Sequence, residues 1–187
     1  MTRVLPIEPA ICYSGFRENQ SPDSQIYPTY EQVKEDLLIL EKSWSYLRLY
    51  DCDPHAQTII EVIQKEKLPL RVMLGAYVSA EINNENCPWG GTYAQSQLDA
   101  NKKYNDERID LLINWANRYP DIVHSLSVGN EASVDWTDHL ISVERLIDFV
   151  RKVKAKCKQS VTFCENYVPW LEKLQPLVDE VDFISST

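Results

Sequence analysis

Apolar residues in this chain fall into short runs that alternate with longer stretches of helical spacing. Ala10-Ile11-Cys12-Tyr13 is the first run, and a polar loop from Ser14 to Pro28 follows it. Thr29 with Gln32 three residues on reads as a capping box. Val33, Leu37, Leu40 and Trp44 recur at helical spacing, which predicts a helix over residues 30 to 43. Tyr46-Leu47-Arg48-Leu49-Tyr50 is a second strand. Asp53-Pro54 then supplies an N-cap and a first helical proline, and Ile59, Ile60, Val62 and Ile63 stripe a second helix. Leu70 to Ala76 is a third strand. A long loop with Pro88-Trp89-Gly90-Gly91 leads to a second capping box, Thr92 with Gln95. The helix after it carries Ile109, Leu112, Ile113 and Ala116. A fourth strand begins at Val123, breaks at Gly129 and is followed by Asn130 and Glu131. Leu140 to Lys158 is helical on Val143, Leu146, Ile147, Val150 and Val153. Ser160 to Cys164 is a fifth strand, Trp170 to Leu177 a short helix, and Val181 to Ser185 begins a sixth strand.

Strict alternation of strand and helix without a hairpin signal predicts parallel βαβ units. A doubly wound sheet and a (β/α)8 barrel both satisfy it. Polar residues at the ends of several strands, and not at one switch point, favour the barrel. No Gly-x-Gly-x-x-Gly or Gly-x-x-x-x-Gly-Lys element supports a nucleotide fold. The expectation is an α/β fold, a TIM barrel that is incomplete, with about six of eight βα units. Residues 1–187 then form one partial catalytic domain, its N-terminal three-quarters.

Composition narrows the partners. With 19 Lys plus Arg against 28 Asp plus Glu, the net charge is −9. A nucleic-acid partner needs a basic face, so none is expected. No basic amphipathic stretch and no long apolar span appears, so no membrane partner is expected either. The first residues lack the apolar core of a signal peptide, which points to the cytoplasm. Five cysteines (Cys12, Cys52, Cys87, Cys157 and Cys164) form no C-x-x-C pair, so neither a disulfide framework nor a metal site is expected.

The chemistry gathers at strand ends. Glu131 follows a buried strand into what a barrel would make its mouth, where low-dielectric walls raise a carboxyl's pKa and suit it to general acid work. Asn130 beside it can hold a substrate hydroxyl. Tyr13, Arg48, Asp51 and Glu165 also stand at predicted strand ends. Each has a plainer reading: Arg48 can pair with Asp51, and Tyr13 can be a core residue at the barrel lip. Trp89 and Trp136 lie in loops where flat rings stack on sugars or simply pack locally. Glu18 sits at a loop tip. His55, His124 and His139 show no ligand spacing and receive no role.

Taken together, Cys12-Tyr13, Leu47-Arg48-Leu49-Tyr50, Met73-Leu74-Gly75 and Val128-Gly129-Asn130-Glu131 make the chain resemble glycoside hydrolase family 17 of the clan A barrels. Its members are β-1,3-glucanases and β-1,3-glucanosyltransferases. The resemblance implies a retaining mechanism with two carboxylates about 5–5.5 Å apart. It implies Glu131 as general acid/base, Asn130 at the sugar 2-hydroxyl, Arg48 supporting the catalytic carboxylates and Tyr13 near the sugar. No cofactor is implied, and the partner is a β-glucan oligosaccharide or polysaccharide. The family's nucleophile is a glutamate ending the seventh strand, which is expected beyond Thr187. Glu165 is the tempting substitute, but a supporting contact with substrate in the cleft suits it better, and Trp136 joins it as a substrate contact. The chain as given is therefore expected to be inactive alone. The alternatives are a non-catalytic carbohydrate-binding barrel and another α/β-barrel enzyme, such as a sugar-phosphate isomerase.

Overall fold

Every second residue along the strands is buried beneath helices. In the computed structural model, which describes residues 6–187, Leu47 and Leu49, Val72 and Leu74, Leu126 and Val128, and Val161 and Phe163 are at most 3% exposed. Because side chains in a strand alternate faces, these pairs form one continuous apolar surface. Helices bury it through Val33, Leu37, Ile59, Ile60, Leu112, Leu146 and Phe149. The opposite face carries Tyr46, Arg48, Met73, Ser125, Ser127 and Thr162, and it lines the interior of the curve.

The strands are β1 (Ala10–Cys12), β2 (Tyr46–Leu49), β3 (Arg71–Gly75), β4 (Val123–Asn130), β5 (Ser160–Glu165) and β6 (Ser185–Ser186). They lie side by side in chain order, and every neighbouring pair is parallel. The helices are α1 (Tyr30–Leu40), α2 (Pro54–Glu66), α3 (Gln95–Arg118), α4 (Val143–Lys156), α5 (Tyr167–Leu171) and α6 (Gln175–Val178). The six strands form a curled half-barrel with helices between them, an incomplete TIM barrel. Sequential parallel order with a helix in each crossover is what right-handed βαβ units produce.

Local signals explain most boundaries. Thr29 and Gln32 close the capping box that starts α1, and the Asp53 side chain accepts from the Ala56 amide at the start of α2. Lys67 ends α2 in a left-handed conformation. Three expectations are corrected. Thr92 does not cap α3, whose N-cap is Ala94 without a side-chain hydrogen bond. The helix expected over Trp170–Leu177 is two short ones, α5 and α6, broken by Glu172, Lys173 and Leu174. Of the strand expected at Val181–Ser185, only Ser185 joins the ladder, together with Ser186; at Asp182 the amide donates to the Val161 carbonyl, but its carboxylate takes the Val161 amide in place of a backbone carbonyl.

Candidate active site

The end of β4 is built by a backbone irregularity. Ser127 pairs with Thr162 and Asn130 with Cys164, so three steps on β4 answer two on β5. An extra residue of this kind bends the strand and re-aims the side chains after it. Gly129 takes φ +123°, a conformation open to glycine, and a β-carbon there would lie 3.0 Å from the Phe163 ring. The Ser127 hydroxyl donates to the Gly129 carbonyl at 2.7 Å. Glu131 then takes φ 49° while its amide still donates to the Cys164 carbonyl at 2.8 Å. Left-handed backbone at a residue other than glycine is held only by its surroundings, and it concentrates at functional sites. Here it turns a half-buried carboxylate out of the strand end, where Oε1 accepts from the Thr187 hydroxyl at 2.7 Å.

Asn130 is fixed at both its polar ends. Its side-chain oxygen accepts from the Arg48 guanidinium, and its backbone carbonyl accepts from His139 Nε2 at 2.9 Å. A carbonyl oxygen only accepts, so Nε2 of His139 carries a hydrogen. On the other side of that ring, Nδ1 lies 2.7 Å from Asp138 Oδ1 and 3.1 Å from the Tyr77 hydroxyl. Burial, and then the charge of Asp138, push the Tyr77 phenol up to about 12, which keeps it a hydrogen-bond donor. No residue pattern marks His139, since its side chain bonds to a backbone carbonyl nine residues back.

Arg48 reaches inward from β2, with its guanidinium 4.8 Å from the centre of the Tyr50 ring and 3.9 Å from Cys12 Sγ. It does not pair with Asp51. That carboxylate is 2.6 Å from Arg108 of α3 and accepts from the Tyr77 amide at 2.9 Å. Arg48 and Asn130 are thus in direct contact, and Glu131 follows Asn130 at the same strand end.

Two other predicted residues stand elsewhere. Tyr13 follows Cys12, which faces inward beside Arg48, so alternation turns Tyr13 toward the helices. Its hydroxyl donates to Asp36 of α1 at 2.7 Å, and Arg17 holds the same carboxylate at 2.6 Å. Burial and the Asp36 carboxylate raise the Tyr13 pKa well above the usual phenol range. It is a buried strut between β1 and α1, turned away from the mouth that holds Glu131. Glu165 shares the pleat parity of Val161 and Phe163 and is fully buried on the helix side. One carboxylate oxygen accepts from the Ser133 amide at 2.8 Å and the Ser133 hydroxyl at 2.6 Å, and the other from the Asn166 amide at 2.7 Å. Burial raises its pKa, and these hydrogen bonds oppose the rise. Glu165 therefore cannot touch substrate; it anchors the backbone just after Glu131.

The loops after β3 and β4 are tied to each other. Asn84 donates to the carbonyls of Asp135 and Thr137 at 2.9 and 2.7 Å, and Tyr93 donates to that of Asp138 at 2.8 Å. The amides of Glu81 and Ile82 both donate to the Leu140 carbonyl. Trp136 rides on this joined pair, 47% exposed, and Trp89 is more exposed still. Among the described residues, no group of three His, Cys, Asp or Glu side chains is placed to hold a metal ion.

No family model and no curated protein sequence matches the chain. Solved structures do. An endo-laminarinase from Formosa Hel1_33_131 is 25% identical, with a TM-score of 0.75 over 95% of this chain and 49% of that one. A glycoside hydrolase family 17 β-1,3-glucanosyltransferase from Rhizomucor miehei is 21% identical, with a TM-score of 0.64 over 95% of this chain and 56% of that one. The chain has a glycoside hydrolase family 17-like fold. An active-site mutant of the Rhizomucor enzyme, in complex with laminaritriose, aligns over 96% of this chain at the same TM-score. The chain spans about half the length of these solved chains. In a family 17-like fold, Arg48, Asn130 and Glu131 stand at the C-terminal ends of β2 and β4, the face where barrel enzymes carry their chemistry.

Proposed function

We propose that the chain belongs to a glycosidase that cleaves or transfers β-1,3-glucan by a retaining mechanism, with Glu131 as general acid/base. The observation that carries this reading is the carboxylate of Glu131, turned into the mouth by a left-handed backbone beside an Asn130 already oriented by Arg48. In this reading Glu131 gives its proton to the glycosidic oxygen as the bond breaks and later takes one from the incoming water or sugar hydroxyl. The Asn130 amide nitrogen, opposite the oxygen that Arg48 holds, donates to a sugar hydroxyl.

A retaining mechanism needs a second carboxylate about 5–5.5 Å from the first. Glu165 does not supply it, since both its oxygens are occupied within the protein. The reading puts the nucleophile on a glutamate beyond Thr187, as the family resemblance implies. The likeness to an endo-laminarinase and to a β-1,3-glucanosyltransferase supports β-1,3-glucan as substrate.

Titrating the chain with laminaritriose and with cellotriose tests the substrate class. The expected result is laminaritriose binding at least about tenfold tighter, a difference of about 1.4 kcal/mol. Equal affinity for the two trioses, or none for either, overturns the glucan reading. A version that includes the second carboxylate and binds laminari-oligosaccharides without cleaving them would be a carbohydrate-binding barrel.

A further inference from the structure

Beside the mouth, a cavity of about 600 Å3 opens under the loop that follows β1. That volume lies within the roughly 300–1,000 Å3 of small-molecule sites. Its polar and aromatic lining comes from Phe16, Tyr27, Tyr50, His55, Tyr77 and Tyr104. Two of these belong to the surroundings of the site already described: Tyr50 lies under the Arg48 guanidinium, and Tyr77 contacts His139. The cavity leads away from the barrel axis, however. Leu49, Ala56 and Ile59 also line it, and they belong to the core between strands and helices.

One polar group in it lacks a partner. His55 is 5% exposed, and its Nε2 accepts from the Gly15 amide at 3.1 Å. Burial pushes the His55 pKa down to about 4, so the ring is neutral at physiological pH. With Nε2 accepting, the hydrogen of the neutral ring sits on Nδ1, and Nδ1 is buried without a partner. A buried donor left unmade is unfavourable, so His55 is a costly group on this wall, held in place by its bond from the Gly15 amide. Of the three carboxylates that line the cavity, Asp51 is engaged with Arg108 and Asp53 with the Ala56 amide, while Asp23 stands alone among the described residues on the exposed loop after β1. A single free carboxylate on an exposed loop builds no cation site, and the aromatic lining suits a neutral ligand with flat apolar faces and many hydroxyls.

We propose that this side cavity receives a single glycosyl branch on the glucan whose main chain crosses the mouth. The inference rests on the glucan reading given above. A main chain cannot follow the cavity, because its inner end is closed by core residues. A sugar on an exocyclic C6 oxygen projects sideways from the chain and can enter. Phe16, Tyr27 and Tyr104 then offer ring faces to the sugar's apolar face.

The test is calorimetric titration of the 187-residue chain with laminaritetraose, and with the same tetraose carrying one β-1,6-linked glucosyl unit. The branched ligand is expected to bind about tenfold tighter or more. Tyr27→Ala and Tyr104→Ala are expected to erase that difference and to leave the linear tetraose unaffected, which also shows that the variants are folded. Should Tyr27→Ala fail to fold, Tyr104→Ala on the α3 surface carries the test. Equal affinities for the two ligands in the parental chain overturn the inference and leave the glucan reading standing. So does a loss of affinity for both ligands in the variants, which would make the cavity a main-chain subsite. If neither ligand binds the parental chain, the glucan reading falls and this inference falls with it.

Discussion

Arg48 on β2 donates to the side-chain oxygen of Asn130 on β4, across the whole width of β3 and 82 residues along the chain. The bond decides which end of the Asn130 amide faces the mouth, because the oxygen is occupied and the nitrogen is left to donate. Arg48→Lys is expected to lower affinity for laminari-oligosaccharides about tenfold or more with little change in thermal midpoint. A lysine cannot hold the Asn130 oxygen and lie over the Tyr50 ring at once as the planar guanidinium does. Near-parental binding by the Lys variant would remove Arg48 from the site.

Glu131→Gln, in a version that turns over, is expected to lose about 10²–10⁴-fold on laminari-oligosaccharides. Aryl glycosides with acidic leaving groups need little protonation and are expected to lose much less in the step that releases the aryl group. Equal losses on both substrates would mean that Glu131 is not the proton donor.

Glu165→Gln is expected to destabilise the protein by about 1–3 kcal/mol at neutral pH, because an amide cannot accept from Ser133 and Asn166 together and leaves a buried N–H unpaired. Burial raises the parental carboxyl's pKa in the folded state, so its contribution is fullest below the unfolded value and is lost as pH rises through the folded one. The stability gap to the Gln variant, which does not titrate, should therefore widen on acidification. Denaturant midpoints of both proteins along a pH series read this directly, and a constant gap counts against the buried-anchor role.

His55 works with the opposite sign. Its folded pKa is depressed from 6.5 to about 4 by burial, so its stabilising contribution is present above pH 6.5 and is lost as pH falls toward 4. The loss is expected to be on the order of 3 kcal/mol. His55→Asn keeps an acceptor for the Gly15 amide and should flatten this part of the stability profile. Identical profiles for parent and variant would show that His55 is not the group responsible.

Much of the fold was legible because burial imposes a period. Leu47 and Leu49 flank Arg48, and that alternation alone assigns the arginine to the face opposite the helices. The same rule, applied to Cys12 and Tyr13 and to Cys164 and Glu165, would have placed Tyr13 and Glu165 on the helix side. A polar residue at a strand end belongs to the mouth only when its parity also turns it inward. The extra residue in β4 was not legible, since it arises where β4 and β5 lose register, a relation between two segments. Gly129 was the one local sign of it. His139 was out of reach for the same reason, because its partner is a backbone carbonyl.

The hydrogen bonds joining the loop after β3 to the loop after β4 bear on how this protein can be recombined with others of its fold. The side chains of Asn84 and Tyr93 and the Glu81 amide find their acceptors not in their own loop but in the backbone from Asp135 to Leu140. A chimera with its crossover inside α3 would take one loop from each parent and set these donors against an unfamiliar backbone. Crossovers before Ala76 or after Ile141 move both loops together, so the pair is the smallest block of this mouth that can be exchanged intact.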